Sequence, residues 1–225
     1  MKTVLAYGDS LTWGRDAATA GRHAYADRWP TRLATGLGED VLVIVEGLNG
    51  RTTAYHDPTI AEERNGATIL PTLLATHQPL DLIVILLGTN DFKRHTGGGN
   101  AYESKLGMQR LVQIVRGFDY VVGDGPPDIL LVSPPTIRRG NDPRIKAMLD
   151  EAGPQSQRLP DLYQELAAET SCHHFDAASI CETTLVDGIH LDAENSRRLG
   201  DALVPVVKHL LEARPPINAM PAGNA

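Results

Sequence analysis

Ser10 stands in the run Gly8-Asp9-Ser10-Leu11, and far along the chain Asp187 and His190 stand three residues apart in Asp187-Gly188-Ile189-His190. A serine hydroxyl attacks an acyl carbon only when a base takes its proton, and an imidazole is the usual base. A carboxylate beside one ring nitrogen orients the imidazole and leaves the other nitrogen free to face a hydroxyl. Three-residue spacing across a Gly-containing turn can bring Asp187 to His190 in that way. The two clusters together therefore hold a nucleophile, a base and its orienter. Singly each is weak, because Gly-Asp-Ser is a common tripeptide and an Asp or Ser after a strand more often caps a helix or a turn. The run is also not Gly-x-Ser-x-Gly, which disfavours the α/β-hydrolase fold proper.

Attack on an ester carbonyl develops negative charge on its oxygen, and fixed hydrogen-bond donors around that oxygen contribute about 3 kcal/mol each. Two further polar runs, Gly47-Leu48-Asn49-Gly50-Arg51-Thr52-Thr53 and Gly88-Thr89-Asn90-Asp91, offer a glycine N–H and an Asn amide for that purpose. Their plainer reading is that Gly and Asn end strands and tolerate positive φ. A metal site built on Asp187, His190 and Asp192 lacks a second ligand group. The pair His173-His174 does not supply one, because adjacent strand residues point to opposite faces. No metal or other cofactor is expected.

These clusters need elements to hold them. Short apolar, β-branched runs bounded by turn residues occur at Thr3–Tyr7, Val41–Val45, Leu82–Leu87, Ile129–Val132 and, less clearly, His173–Phe175. Apolar residues follow one another in them rather than alternating, the pattern of strands covered on both faces in a parallel sheet. Helical spacing marks Tyr25–Leu37, Thr68–Thr76, Tyr102–Phe118, Leu159–Glu169 and Ala193–Ala213, the last with Asp192 placed to cap it. Strand and helix alternate throughout, which predicts an α/β fold with right-handed crossovers and a doubly wound parallel sheet of about five strands. Ligands of such sheets bind beyond the carboxyl ends of the strands, where the polar runs fall. Two longer segments, Phe92–Ala101 and Ser133–Arg158, leave strand ends on that side, and the second contains a candidate short helix near Ile145–Leu149.

Composition narrows the partners. The chain has 225 residues, a length suited to one domain over residues 1–213, with the Pro-, Gly- and Asn-rich stretch 214–225 read as a disordered tail. A formal charge of −7 without clustered Lys and Arg argues against nucleic acid. No apolar run is long enough for a membrane span. The apolar stretch after Lys2 is too short for an export signal, so a cytoplasmic location is expected. Cys172 and Cys181 are accordingly expected to be reduced and buried.

Taken in order and spacing, Gly8-Asp9-Ser10-Leu11, Gly50, Gly88-Thr89-Asn90-Asp91 and Asp187-x-x-His190 resemble the four blocks of the SGNH (GDSL) hydrolase superfamily, across residues 8 to 190. Glu46-Gly47-Leu48, Arg51-Thr52-Thr53 and Leu86-Leu87-Gly88-Thr89-Asn90-Asp91 are similar to its bacterial arylesterase and acyltransferase branch. The resemblance implies a flavodoxin-like three-layer sandwich and an oligomer of identical chains. It implies Ser10 as nucleophile, His190 as base and Asp187 as orienter, with the Ser10 N–H, the Gly50 N–H and the Asn90 side chain as oxyanion hole. Some members of that branch carry a residue other than Gly at the place of Gly50, which matters little where the donor is main-chain. A serine esterase acting on short-chain or aryl esters through an acyl-enzyme follows, with acyltransferase or perhydrolase side activity. Carbohydrate acetylesterase and lysophospholipase-like thioesterase activities would use the same residues. A non-catalytic flavodoxin-like binding module would need all five roles to coincide by chance. Leu11, Trp13, Phe92 and Tyr102 are candidates to line the substrate pocket, and each suits a core or an oligomer contact equally well.

Overall fold

The computed structural model describes residues 1–96, 99–149 and 151–213, so the expected disordered tail at 214–225 lies outside the described residues. Five strands, β1 (Lys2–Gly8), β2 (Val41–Gly47), β3 (Leu82–Leu86), β4 (Asp128–Ser133) and β5 (His173–Asp176), form one sheet of order β2-β1-β3-β4-β5. Every neighbouring pair is parallel. Among the described residues, eight α-helices accompany them: α1 (Ser10–Trp13), α2 (Trp29–Leu37), α3 (Gly66–His77), α4 (Ala101–Gly117), α5 (Pro143–Met148), α6 (Ala152–Ser156), α7 (Leu159–Glu169) and α8 (Ala193–Ala213).

The period-2 geometry of a strand explains how one apolar run serves two cores. In β1, Val4 and Ala6 face a core shared with Trp29 and Leu33 of α2 and Leu199, Leu203 and Val207 of α8. Leu5 and Tyr7 face the other core, with Leu70 and Leu74 of α3, Met108 and Leu111 of α4, and Tyr163 and Leu166 of α7. The result is three layers, helices on both faces of the sheet. Leu70 is fully buried, so Leu70→Ala would cost about 2–5 kcal/mol in lost transfer energy and residual cavity. Among the described residues, no helix is long and apolar enough to cross a membrane.

Two expectations are adjusted. The run Val41–Val45 is not covered on both faces, because β2 is the sheet edge, and Leu42 and Val45 remain 44% and 43% exposed. Both cysteines are free thiols, with Cys181 buried and Cys172 half-buried.

Sheet order decides where a site can form. From β1 the chain moves to β2 on one side, then crosses back through α3 to β3 on the other. The loops leaving β1 and β3 therefore diverge at their carboxyl ends and open a crevice between them. Ser10 follows β1, and Asn90 follows β3.

Candidate active site

β1 ends in a turn too tight for a side chain at Gly8, where a Cβ would lie 2.0 Å from Thr12 Oγ1 and 2.8 Å from the Leu86 carbonyl oxygen. The Asp9 carboxylate accepts the Leu11 N–H at 2.9 Å and so caps α1, a single turn closed by Gly14 at φ 90°. Ser10 is the first residue of that turn, with its side chain turned toward the far end of the chain. His190 Nε2 lies 2.9 Å from Ser10 Oγ, and His190 Nδ1 lies 2.5 Å from Asp187 Oδ2. With the ring proton on Nδ1, the imidazole donates to Asp187 and its Nε2 accepts from the serine hydroxyl. The other Asp187 oxygen accepts the N–H groups of Ile189 at 3.1 Å and His190 at 3.0 Å. Burial raises the Asp187 carboxyl, and the hydrogen bonds and charge of His190 outweigh it, leaving the group below its ordinary value. The carboxylate is thereby kept ionised against the ring.

The loop that carries Asp187 and His190 is braced from one side by the segment between β4 and α7. Gly188 sits at φ +83°, and a Cβ there would lie 2.0 Å from the Arg138 carbonyl oxygen. A Cβ on Gly140 would lie 2.1 Å from the Asp187 carbonyl carbon. The Arg138 N–H donates to Gly188 O at 2.8 Å, and the Asn141 and Asp142 N–H groups reach Val186 O at 3.1 Å. Residues 133–158 thus hold the acid-bearing turn through two glycines in close backbone contact. The candidate helix near Ile145–Leu149 corresponds to α5, with α6 beyond it. On another side, His23 Nε2 lies 3.0 Å from the Leu191 carbonyl oxygen in a buried contact.

Three further donors are expected to face the ester oxygen. Ser10 and Gly50 main-chain N–H groups find no acceptor among the described residues. Gly50 lies in the turn after β2 at φ +81°, a conformation that favours glycine. The Asn90 amide nitrogen donates to Asp9 Oδ2 at 3.0 Å and to the Arg51 carbonyl oxygen at 3.1 Å. Both amide protons are therefore engaged, and a third acceptor must share one of them.

Beneath these groups lies a buried polar frame that sequence reasoning did not single out. Arg51 donates to the carbonyl oxygens of Gly8, at 2.8 Å, and Glu46, with its guanidinium 4.3 Å from the centre of the Tyr7 ring. It thereby ties the ends of β1 and β2 together. Asp91 accepts from the Thr53 N–H at 2.9 Å, from Thr53 Oγ1 at 2.8 Å and from Ser104 Oγ, joining the turns after β2 and β3 to α4. Burial raises Asp9 and Asp91 to about 6 each. Asp9 and Asp91 were in view only as parts of motifs, and nothing local in the sequence marks them as buried. Among the described residues, no group of three or more His, Cys, Asp or Glu side chains is placed to hold a metal ion.

Of the pocket candidates, Leu11 and Phe92 pack into the two cores, 4% and 3% exposed. Trp13 keeps some exposed surface, with the Arg22 guanidinium 4.7 Å from its ring centre, and Tyr102 is largely exposed. Asp187 also borders a cavity of about 280 Å³ lined by Ile137, Arg139, Ile145, Leu149 and Pro154. None of Ser10, His190, Gly50 and Asn90 lines it.

Comparison with known proteins places this architecture. A family model for the GDSL-like lipase/acylhydrolase family matches residues 6–198. No curated protein matches the chain. Among solved structures, a carbohydrate acetylesterase family member from Sinorhizobium meliloti is 51% identical with a TM-score of 0.92, covering 94% of this chain and 100% of that one. A second carbohydrate acetylesterase from that organism is 38% identical with a TM-score of 0.86, covering 93% of this chain and all (100%) of its own. The M. smegmatis aryl esterase is 41% identical with a TM-score of 0.86, again covering 93% and 100%. With five parallel strands, helices on both faces and a family match over most of its length, the chain belongs to the GDSL-like lipase/acylhydrolase family and is a carboxylic ester hydrolase.

Proposed function

We propose that this protein is a serine esterase in which Ser10 is the nucleophile, His190 the general base and acid, and Asp187 the residue that orients His190. The observation that carries the reading is the buried relay of 2.9 Å from Ser10 Oγ to His190 Nε2 and 2.5 Å from His190 Nδ1 to Asp187. Ser10 Oγ bonds to the ester carbonyl carbon as its proton passes to His190 Nε2. The carbonyl oxygen, now negative, accepts from the Ser10 and Gly50 N–H groups and shares an amide proton of Asn90. The bond from carbon to the leaving oxygen then breaks, and His190 returns the proton to that oxygen, which departs as an alcohol or phenol. Water repeats the sequence on the acyl-enzyme, releasing the acid and restoring Ser10. Asn90 also carries a structural duty, since its bond to Asp9 holds the residue that caps α1.

The substrate class follows from similarity to arylesterases and carbohydrate acetylesterases: small esters of short acyl groups with aryl or sugar alcohols. Interception of the acyl-enzyme by an alcohol in place of water would make a new ester, and this acyltransferase activity is part of the proposal. So are a single hydrolase domain over residues 1–213, a homo-oligomer and a cytoplasmic location. Trp13, partly exposed beside Ser10, supplies pocket wall, while Leu11 and Phe92 support the crevice from the cores.

A 4-nitrophenyl acyl series and a per-acetylated sugar, assayed with wild type and Ser10→Ala, test the assignment. Hydrolysis fastest on the shortest acyl groups and lost in the variant supports it. Retention of most activity by Ser10→Ala would sink it.

A further inference from the structure

The chain carries 28 acidic residues, and most buried or half-buried cations rest on an acceptor. Lys105 meets Glu165 and Glu169 at 3.2 and 3.0 Å, and Lys2 meets Asp81 at 3.0 Å. Arg64 and Lys93 do not fit this pattern. Their side chains are only 12% and 11% exposed. The Arg64 guanidinium comes no closer than 3.6 Å to Glu62, whose side chain is 68% exposed, and its Nε is buried without a partner. Lys93 Nζ comes no closer than 3.9 Å to Asp57. Asp57 is itself supplied by other donors, the Thr59 N–H at 3.1 Å and Thr59 Oγ1 at 2.6 Å, and faces His95 at 3.3 Å. Among the described residues neither cation has an acceptor within hydrogen-bond distance, an unfavourable state for groups so far removed from water.

Their position gives this meaning. A Cβ built on Gly50 would lie 2.9 Å from Arg64 Nη1 and 3.5 Å from Lys93 Nζ. Gly50 is the residue whose N–H would donate to the ester oxygen in the proposed reaction, so both cations flank one of the proposed oxyanion donors. Neighbouring carboxylates do not claim them. Asp9 is held by the Leu11 N–H and Asn90, and Asp91 by Thr53 and Ser104. Two donor-rich cations side by side, one a planar fork and one a compact ammonium, suit a carboxylate.

We propose that Arg64 and Lys93 form an anion subsite beside the proposed oxyanion donors, and that the esters this enzyme prefers carry a carboxylate a few bonds from the reacting carbonyl. The inference rests on the esterase reading above. The carboxylate can belong to the acyl group or to the alcohol, and two pairs of substrates separate these sources. Mono-4-nitrophenyl adipate against 4-nitrophenyl hexanoate places it on the acyl side. 3-Acetoxybenzoate against its methyl ester places it on the alcohol side.

The readout is the ratio of kcat/KM for the charged to the neutral member of each pair. Lys93→Met and Arg64→Met, checked for folding by thermal melting, are expected each to lower that ratio tenfold or more in one of the pairs, while Lys93→Arg keeps it within threefold of wild type. A ratio unchanged within threefold by both Met variants in both pairs overturns the subsite, even where all rates fall together, because that result means the cations serve every ester alike. Should one Met variant fail to fold, the other decides. If wild type hydrolyses none of the four esters, the catalytic reading fails on its own, and monomethyl adipate binding by calorimetry decides the subsite. A Kd weakened at least tenfold by Lys93→Met supports it, and absent or unchanged binding overturns it.

Discussion

Gly140→Ala places a methyl group where the backbone of the acid-bearing turn now runs. The added Cβ would lie 2.1 Å from the Asp187 carbonyl carbon and 2.5 Å from the Gly188 nitrogen, whereas ordinary contact begins at 3.4 Å. All the nearest atoms are backbone, so no side chain can swing away, and one of the two loops must move by more than an ångström. Asp187 and His190 share that turn, and their partner Ser10 is fixed to β1 by the α1 cap. A shift of that size in the turn stretches the 2.9 Å contact from His190 to Ser10 beyond hydrogen-bonding range. A misplacement of about 1 Å costs on the order of 10²-fold in rate, whereas crowding of this kind costs about 1–3 kcal/mol of stability. Steady-state hydrolysis of 4-nitrophenyl acetate, read beside thermal melting, should show kcat reduced about 100-fold in a protein that is still folded. Activity within threefold of wild type in the folded variant would refute the claim that residues 133–158 position the acid and base.

Three further outcomes follow from the same geometry. Asp187→Asn keeps the shape of the pair but loses the carboxylate that fixes the His190 tautomer, and kcat should fall on the order of 10⁴-fold; a loss under tenfold would remove Asp187 from its assigned role. Asn90→Ala should lower kcat by about 10²-fold with a smaller change in KM, and a pure KM effect would argue that Asn90 binds substrate instead of the developing charge. Burial raises Asp91 from 3.8 to about 6, so its protonated form favours the fold fully below pH 3.8, and that contribution is lost as pH rises through about 6. Asp91→Asn cannot ionise, and the melting temperature of wild type minus that of the variant should therefore shrink between pH 4 and 7; a difference that grows with pH would contradict the account.

Much of this was readable in advance for identifiable reasons. Val4, Leu82 and Ile129 open runs of consecutive apolar residues because β1, β3 and β4 lie inside the sheet and bury both faces. Leu159–Glu169 and Ala193–Ala213 agree with their observed bounds because strong local signals, Pro160 at the first turn and Asp192 accepting the Asn195 N–H at 2.8 Å, set their starts. Val41–Val45 carries the same apolar signature as the inner strands, and composition alone does not reveal that β2 has a neighbour on one side only. Ser10, Asp187 and His190 stood out because the chemistry of acyl transfer dictates residue type and spacing, and the structure brings their side chains within hydrogen-bond distance. The bracing role of Gly140 was not, because a glycine that admits a distant backbone looks like any loop glycine. Arg64 and Lys93 were missed for a related reason: only the folded turn after β2 brings residues 29 positions apart to the same glycine, as their sequence numbers and the Gly50 contacts together indicate. Leu11 and Phe92 were candidates for the pocket because they flank the motifs, yet both sink into the cores.

The central claim is that the acyl group passes through the Ser10 oxygen. Rapid quenching of the enzyme with a 4-nitrophenyl ester, followed by digestion and peptide mass spectrometry, tests it directly. The account predicts a burst of 4-nitrophenol and a peptide containing Ser10 heavier by the acyl group, both absent from Ser10→Ala. An acyl group mapped to any other residue, or turnover that persists in Ser10→Ala, would contradict it.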